Sequence, residues 1–229
     1  MPAEDAAAKI RWEDGDLPVS TQFDDPYFSR HDGLAETRHV FLDGNNLAQR
    51  FSGASSFSIA ELGFGTGLNA LAAIALWRQT APPGARLSYT AFELYPMTGE
   101  EMARALTAWP ELTDLAQSLL AAWPATEIAL PGADLSVVIG DARQTVPGWT
   151  GVAQAWFLDG FAPSRNPQMW EATLLQAVHD HTAPGGTFAT YSAAGAVRRA
   201  LAGAGYQVSR VPGYGRKREM LAGCRHDPA

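Results

Sequence analysis

The chain has a single cysteine, Cys224, among 229 residues. That excludes an internal disulfide and fits a reducing, cytoplasmic compartment. Cys224 itself reads as a small buried hydrophobe near the last strand. No run of 18 apolar residues occurs, so no membrane span is expected. The opening stretch, MPAEDAAAKI, is acidic and lacks the apolar core of a signal peptide. The five histidines show no metal-ligand spacing. His179 and His181 fall near an expected helix end, where positive charge is mildly favoured, and no metal is expected. Internal repeats, low-complexity tracts and clear linkers are also missing. Basic residues are scarce, with 17 Lys and Arg against 24 Asp and Glu, for a net charge of −7. That balance argues at first against a nucleic-acid partner.

The charge is unevenly spread, however. From residue 190 onward there are seven basic and two acidic residues, a net of +5, so the first 189 residues carry −12. A local basic surface can bind phosphates on an acidic protein. An ordinary solvated chain end would have the same composition. The apolar share of 46% is enough for a sizeable core in one large domain or two small ones.

Residues 1–55 are rich in Asp, Gly and aromatics, with a turn signal at Glu13-Asp14-Gly15-Asp16. They read as a short hairpin and an irregular cap belonging to the same domain as the core, 56–229. From Phe57 onward, short apolar runs alternate with amphipathic stretches. Strands are predicted at 57–62, 87–92, 135–139, 155–158 and 187–191, and helices at about 67–79, 98–108, 111–122, 168–182 and 194–204. Thr98 and Glu101 have capping-box spacing. Pro131-Gly132 punctuates a hairpin between 127–130 and 135–139, and runs 206–211 and 219–223 close the chain with another. Strand–helix alternation predicts an α/β fold with a mostly parallel sheet covered by helices.

The first core strand leads into Glu61-Leu62-Gly63-Phe64-Gly65-Thr66-Gly67-Leu68-Asn69. Glycines there let the backbone turn tightly and approach a ligand. The dinucleotide fingerprint G-x-G-x-x-G would need Gly at 68, where Leu68 stands. The pattern E-x-G-x-G-x-G instead resembles motif I of Rossmann-like S-adenosylmethionine-dependent methyltransferases. Two further acids end strands. Glu93 stands where an acid can accept hydrogen bonds from ribose hydroxyls, and Asp141 follows Gly140. Each acid alone could be a helix cap or turn residue. In the resembling enzymes the position of Asp141 lies beside the adenine amino group. Expected cofactor contacts are Glu61, Gly63, Gly65, Thr66, Gly67, Glu93 and Asp141.

A third acid, Asp159, ends the strand of QAWFLDGFAPSRNPQMW (154–170), ahead of Pro163 and Pro167. This loop and five other segments carry a closer resemblance: GDLPVS (15–20), FDDPYFS (23–29), ETRHVFL (36–42), WPEL (109–112) and GYGRKREM (213–220). Together with the glycine loop and Asn69, they are similar to the methyltransferase domain of the MnmC family. These are the bifunctional enzymes of tRNA 5-methylaminomethyl-2-thiouridine biosynthesis. The Asp159 loop and the GYGRKREM run are specific to that family; the glycine loop is not. Ser164-Arg165 replaces an Ala-Lys pair common there, keeping the positive charge. No counterpart of the family's flavin-dependent half is present, so the resemblance implies a stand-alone methyltransferase that depends on a separate enzyme for its aminomethyl substrate.

The implied reaction moves a methyl group from S-adenosylmethionine to the amine of 5-aminomethyl-2-thiouridine at the tRNA wobble position. Asp159 would then orient the amine and accept its proton. Phe161 and Trp170 could wall an unstacked base, although Trp170 equally suits core packing. Asn166 would touch the base or merely satisfy the loop backbone. Tyr27 would contact the cofactor from the cap, and Arg216, Lys217 and Arg218 would meet tRNA phosphates. Two other readings stay open: methylation of a small-molecule amine, and a non-catalytic module that binds S-adenosylmethionine or RNA.

Overall fold

The computed structural model describes residues 7–226. The first six residues of the acidic opening stretch, and Asp227 of the basic end, lie outside the described residues. The core is an eight-stranded sheet. Its central strands are β4 (Ser56–Leu62), β5 (Arg86–Glu93), β7 (Ala133–Ile139), β8 (Ala153–Leu158) and β9 (Thr182–Thr190). β6 (Glu127–Leu130), β10 (Tyr206–Pro212) and β11 (Glu219–Arg225) complete it, in the order β10-β11-β9-β8-β4-β5-β7-β6. The five central strands run parallel, and antiparallel strands flank them on both sides. The connections run from β4 outward through β5 to β7, then return through β8 to β9 on the other side. The order therefore reverses at β4, and a crevice opens between the carboxyl ends of β4 and β8, where open α/β sheets bind ligands.

Strands buried on both faces read as continuous apolar runs, and pleat parity sorts their side chains. Ile59, Ala155, Phe157, Tyr89 and Ala91 point to one face. There they pack under α3 (Leu68–Thr80), α4 (Gly99–Leu106) and α5 (Thr113–Ala122). Ala60, Leu62, Trp156, Leu158 and Phe92 point to the other, under α6 (Ala142–Gly148), α7 (Ala172–Asp180) and α8 (Gly195–Ala204). The expected capping box starts α4: the Thr98 hydroxyl accepts from the Glu101 N–H at 3.2 Å, and the Glu101 carboxylate accepts from the Thr98 N–H at 2.8 Å. The Pro131-Gly132 hairpin joins β6 to β7, with Gly132 at φ +83°.

Several expectations are corrected. The helix predicted at 168–182 is a 3-10 turn, Pro167–Trp170, followed by α7, and β9 begins at Thr182. Glu171, extended at ψ 142°, breaks the helical path between turn and helix. The short α6 has no apolar periodicity to announce it and carries Pro147. Cys224 is half-buried on β11 rather than buried.

The amino-terminal region is also more ordered than an irregular cap. β1 (Ile10–Glu13), β2 (Leu17–Ser20) and β3 (Asp25–Pro26) form a small antiparallel sheet. Its first turn uses positive φ at Gly15 and Asp16. Then α1 (Gly33–Thr37), a π-helical turn (Arg38–Asp43) and α2 (Leu47–Phe51) bury Leu34, Val40, Phe41, Leu47 and Phe51 in the same core cluster as Phe57 and Trp77. Phe51 packs edge-on against both Phe57 and Trp77, at 5.0 and 4.8 Å between ring centroids. No described helix is long and apolar enough to cross a membrane.

Candidate active site

A cavity of about 630 Å³ opens at the carboxyl ends of β4, β5, β7 and β8. Its floor is the glycine loop. Gly63, Gly65 and Gly67 hold φ of +83°, +53° and +80°, a region that side-chain-bearing residues avoid. A Cβ at Gly65 would also lie 3.2 Å from the Tyr27 ring, which lies against the loop from the cap. Burial and the nearby Glu93 carboxylate push the Tyr27 phenol far above its ordinary range. Gly63, Gly65 and Thr66 line the cavity, whereas Gly67 packs beneath the loop as the left-handed cap of α3.

Glu93, at the end of β5, lines the cavity and braces this floor. One carboxylate oxygen accepts from the N–H groups of Phe64 and Gly65 at 2.9 and 3.0 Å, and the other from Tyr95 N–H at 2.7 Å. Three of the roughly four acceptor sites are thus filled, and Oε1 keeps one for a ligand hydroxyl. Asp141 also faces the cavity, but as the N-cap of α6. It is ion-paired to Arg143 at 2.6 Å, which holds its carboxyl below the usual range.

Glu61 departs from expectation. It does not line the cavity. Pleat parity with Ile59 turns its side chain into the α3 face of the core, where it is 0% exposed. Its carboxyl receives Asn69 Nδ2 at 2.7 Å and the Tyr89 hydroxyl at 2.9 Å. Burial without a cation drives its pKa well above the ordinary carboxylate range. Asn69, in the first turn of α3, received no role from the sequence and proves to be a hub. Its Nδ2 also donates to Asp159 Oδ2 at 2.7 Å, and its Oδ1 accepts from the Thr37 hydroxyl at 2.7 Å.

Asp159 sits one residue past β8, on the parity that faces α3. Its Oδ1 accepts from Gly160 N–H at 2.8 Å. Burial at the cavity's inner end pushes its carboxyl up to about 7, against the lowering effect of those two hydrogen bonds. The loop behind it is tied down at several points. Tyr191 donates to Gly160 O at 2.6 Å, Trp170 Nε1 to Phe161 O at 3.0 Å, and Ala162 N–H to Asp25 of the cap at 2.8 Å. Trp170 is buried and does not line the cavity, so its role is packing and loop anchorage rather than a wall. Phe161 and Asn166 do line it. Phe161 stacks on Phe23 at 4.7 Å and meets Tyr27 edge-on at 5.0 Å.

At the mouth, Arg216 and Lys217 line the cavity, and Arg218 lies outside it on the exposed loop between β10 and β11. Lys217 pairs with Glu36 of α1 at 2.9 Å and lies over the Tyr191 ring at 4.2 Å. Asp25 and Glu36 stood in the resembling segments 23–29 and 36–42 without a role of their own, and Tyr191 carried no signal; only the fold brings them here.

Glycine backbone, a strand-end acid with a free acceptor site and a nucleotide-sized cavity suit an adenosyl ligand. A family profile described as "S-adenosyl-L-methionine-dependent methyltransferase" matches residues 110–226, half of the chain. The chain belongs to this methyltransferase family. Its cofactor is therefore S-adenosylmethionine, and the fold is the Rossmann-like one expected. This methyltransferase is 46% identical over 227 residues to the tRNA 5-methylaminomethyl-2-thiouridine biosynthesis bifunctional protein MnmC of Caulobacter vibrioides, covering 96% of this chain and 38% of that protein. The protein of the same name from Chromobacterium violaceum is 46% identical over 226 residues, covering 94% and 34%. The chain thus spans little more than a third of the length of these relatives. The crystal structure of MnmC2 from Aquifex aeolicus superposes with a TM-score of 0.78 at 23% identity, over 99% of this chain and 73% of that one, a likeness of fold.

Proposed function

We propose that this methyltransferase methylates the primary amine of 5-aminomethyl-2-thiouridine at the tRNA wobble position, in the cytoplasm. A separate enzyme would supply the aminomethyl group. The observation that carries the reading is the Asp159 carboxyl, held by two donors at the inner end of the same cavity that the glycine loop floors. Identity to the MnmC proteins along nearly the whole chain supports the substrate.

S-adenosylmethionine supplies the electrophilic methyl group. Glu93 Oε1 would accept from a ribose hydroxyl, and Gly63, Gly65 and Thr66 would lie against the ligand. The acceptor amine must lose a proton before its lone pair can attack. An alkyl amine with a pKa of roughly 10.4 is neutral in only about one molecule in a few thousand at pH 7. Asp159, pushed up to about 7, is substantially ionised at neutral pH and matched to proton transfer there. It accepts the proton and aims the nitrogen. Phe161, backed by Phe23 and Tyr27, offers an aromatic face to the unstacked base. Arg216, Lys217 and Arg218 would neutralise phosphates around the mouth.

The test is nucleoside mass spectrometry of tRNA carrying 5-aminomethyl-2-thiouridine after incubation with the protein and S-adenosylmethionine. The expected product is 5-methylaminomethyl-2-thiouridine. An unmodified tRNA alongside methylated free amines would overturn the assignment in favour of a small-molecule acceptor.

A further inference from the structure

We propose that Asn69 and Glu61 are positioning residues for Asp159: Asn69 divides its two amide protons between the two carboxyl groups, and the pair carries at most one negative charge, located on Asp159. The inference rests on Asp159 being the base, as proposed above.

An amide NH2 has two protons and no more. Both are committed here, each at 2.7 Å, to Glu61 Oε1 and Asp159 Oδ2. A planar NH2 with bonds of that length sets the two acceptor oxygens roughly 5 Å apart. Two carboxylates so close cannot both ionise readily without a cation between them. Among the described residues, neither Glu61 nor Asp159 has an ion pair. The proton therefore goes to the carboxyl with less access to charge stabilisation.

That carboxyl is Glu61. It is fully enclosed, and its partners are the neutral Asn69 and Tyr89. The other charge near it is the Glu93 carboxylate at the end of β5, which raises its pKa further. Asp159 opens into the cavity and has a backbone donor. The groups facing it are Glu36 from α1, Lys217 from the β10–β11 loop and Tyr191 after β9. Lys217 favours its ionised form, and Glu36 opposes it. The Tyr89 hydroxyl donates to Glu61 Oε2 at 2.9 Å; a proton on Oε2 reverses that contact, and Tyr89 then accepts, as a phenol can.

The arrangement defines a starting state. Asn69, held at its other end by Thr37, fixes the rotation of the Asp159 carboxylate, so that its unused lone pairs face the cavity. When a substrate ammonium gives up its proton, an N–H bond breaks and an O–H bond forms on Asp159. The electron pair stays on nitrogen. The pair of acids is then neutral, and Asp159 returns the proton to the solvated cavity after product leaves. An ionised Glu61 would oppose the ionisation of Asp159 and move its working range to higher pH.

Carbon-13 carboxyl NMR of the wild-type protein reads the charge placement directly, so no variant has to fold. Glu61 should hold the chemical shift of a protonated acid between pH 6 and 8 while Asp159 titrates; a Glu61 signal that is ionised at pH 7 would overturn the proposal. Single-turnover transfer on aminomethyl-bearing tRNA reads the positioning. Asn69→Ala should lower the rate constant about ten- to a hundredfold, the loss expected for a hydrogen bond to a charged group. The KM for tRNA should hardly move, and the acid limb of the pH profile should rise, because a donor to the carboxylate is lost. Glu61→Ala should slow transfer about tenfold by loosening Asn69. Glu61→Gln, a neutral isostere, should rescue the rate with the acid limb in place. An acid limb that drops by a pH unit in Glu61→Gln, or an undiminished rate in Asn69→Ala, would each refute the idea. Full activity of Asp159→Asn at pH 7 would instead remove the base reading, while the NMR measurement still decides where the charge lies.

Discussion

Replacing Asp159 by Asn removes one negative charge from the inner end of the cavity, and the consequence for stability can be worked from the structure. Burial raises the carboxyl from 3.8 to about 7. Between roughly pH 4 and 7 the folded chain holds a proton that the unfolded chain has released. Wild-type stability therefore falls as pH rises through that window and, for this group, is lowest above pH 7. At about 1.36 kcal/mol per pH unit the full difference is about 4 kcal/mol, and water in the open cavity reduces it to about 2–4 kcal/mol. Asparagine lacks the titration. It also has one acceptor where aspartate has two, so the donors Asn69 and Gly160 are imperfectly matched, at a cost of about 1–2 kcal/mol that does not vary with pH. The informative quantity is thus the difference in melting temperature between variant and wild type, followed from pH 5 to pH 8. The part of the stability change that falls between pH 5 and pH 8 is about 1.4–2.7 kcal/mol, so the difference should shift in favour of the variant by roughly 3–11 °C, taking about 2–4 °C per kcal/mol for a chain of this length. All other titrating groups are common to both proteins and cancel. Parallel melting curves across the range would show that Asp159 is not raised, and would remove the basis for its acting as a base near pH 7. The same variant should transfer methyl groups about 10²–10⁴-fold more slowly, the usual span for a positioned acid–base group.

Glu93→Ala should weaken S-adenosylmethionine binding about ten- to hundredfold, since charge-assisted hydrogen bonds are worth about 1.5–3 kcal/mol; calorimetry showing unchanged affinity in a folded variant would sink the ribose assignment. Gly65→Ala should weaken the cofactor as well, because φ of +53° and the Tyr27 ring at 3.2 Å leave no relaxed place for a methyl group; binding and melting temperature measured together would show it. Neutralising Arg216, Lys217 and Arg218 should lower tRNA affinity and flatten its dependence on salt while sparing the cofactor; identical slopes in filter binding would count against a phosphate role. The rate of transfer should rise with pH through about 7, as Asp159 ionises, and a flat profile from pH 5.5 to 8.5 would exclude it as the base.

The local pattern of the sequence was enough for most of the core. Strands buried on both faces, such as Ala155-Trp156-Phe157-Leu158, leave unbroken apolar runs, and α8 shows its inner face through Val197 and Leu201. The glycine loop and the acids at strand ends were legible because each depends on its own few residues: a φ that only glycine adopts easily, or a carboxylate where a strand stops. Residues 33–51 were read as irregular, since the helices there are five or six residues long and too short to show a period. The roles of neighbours across the fold needed the tertiary structure. Glu61 looked like a cofactor ligand until the pleat turned it into the core. Asn69 is a hub only because β4, β8 and α3 converge on its amide. Lys217 meets Glu36 across 181 positions of chain. A hydrogen bond between distant segments leaves no local period, so these partners became visible only when the strand order and the docking of the cap set them side by side.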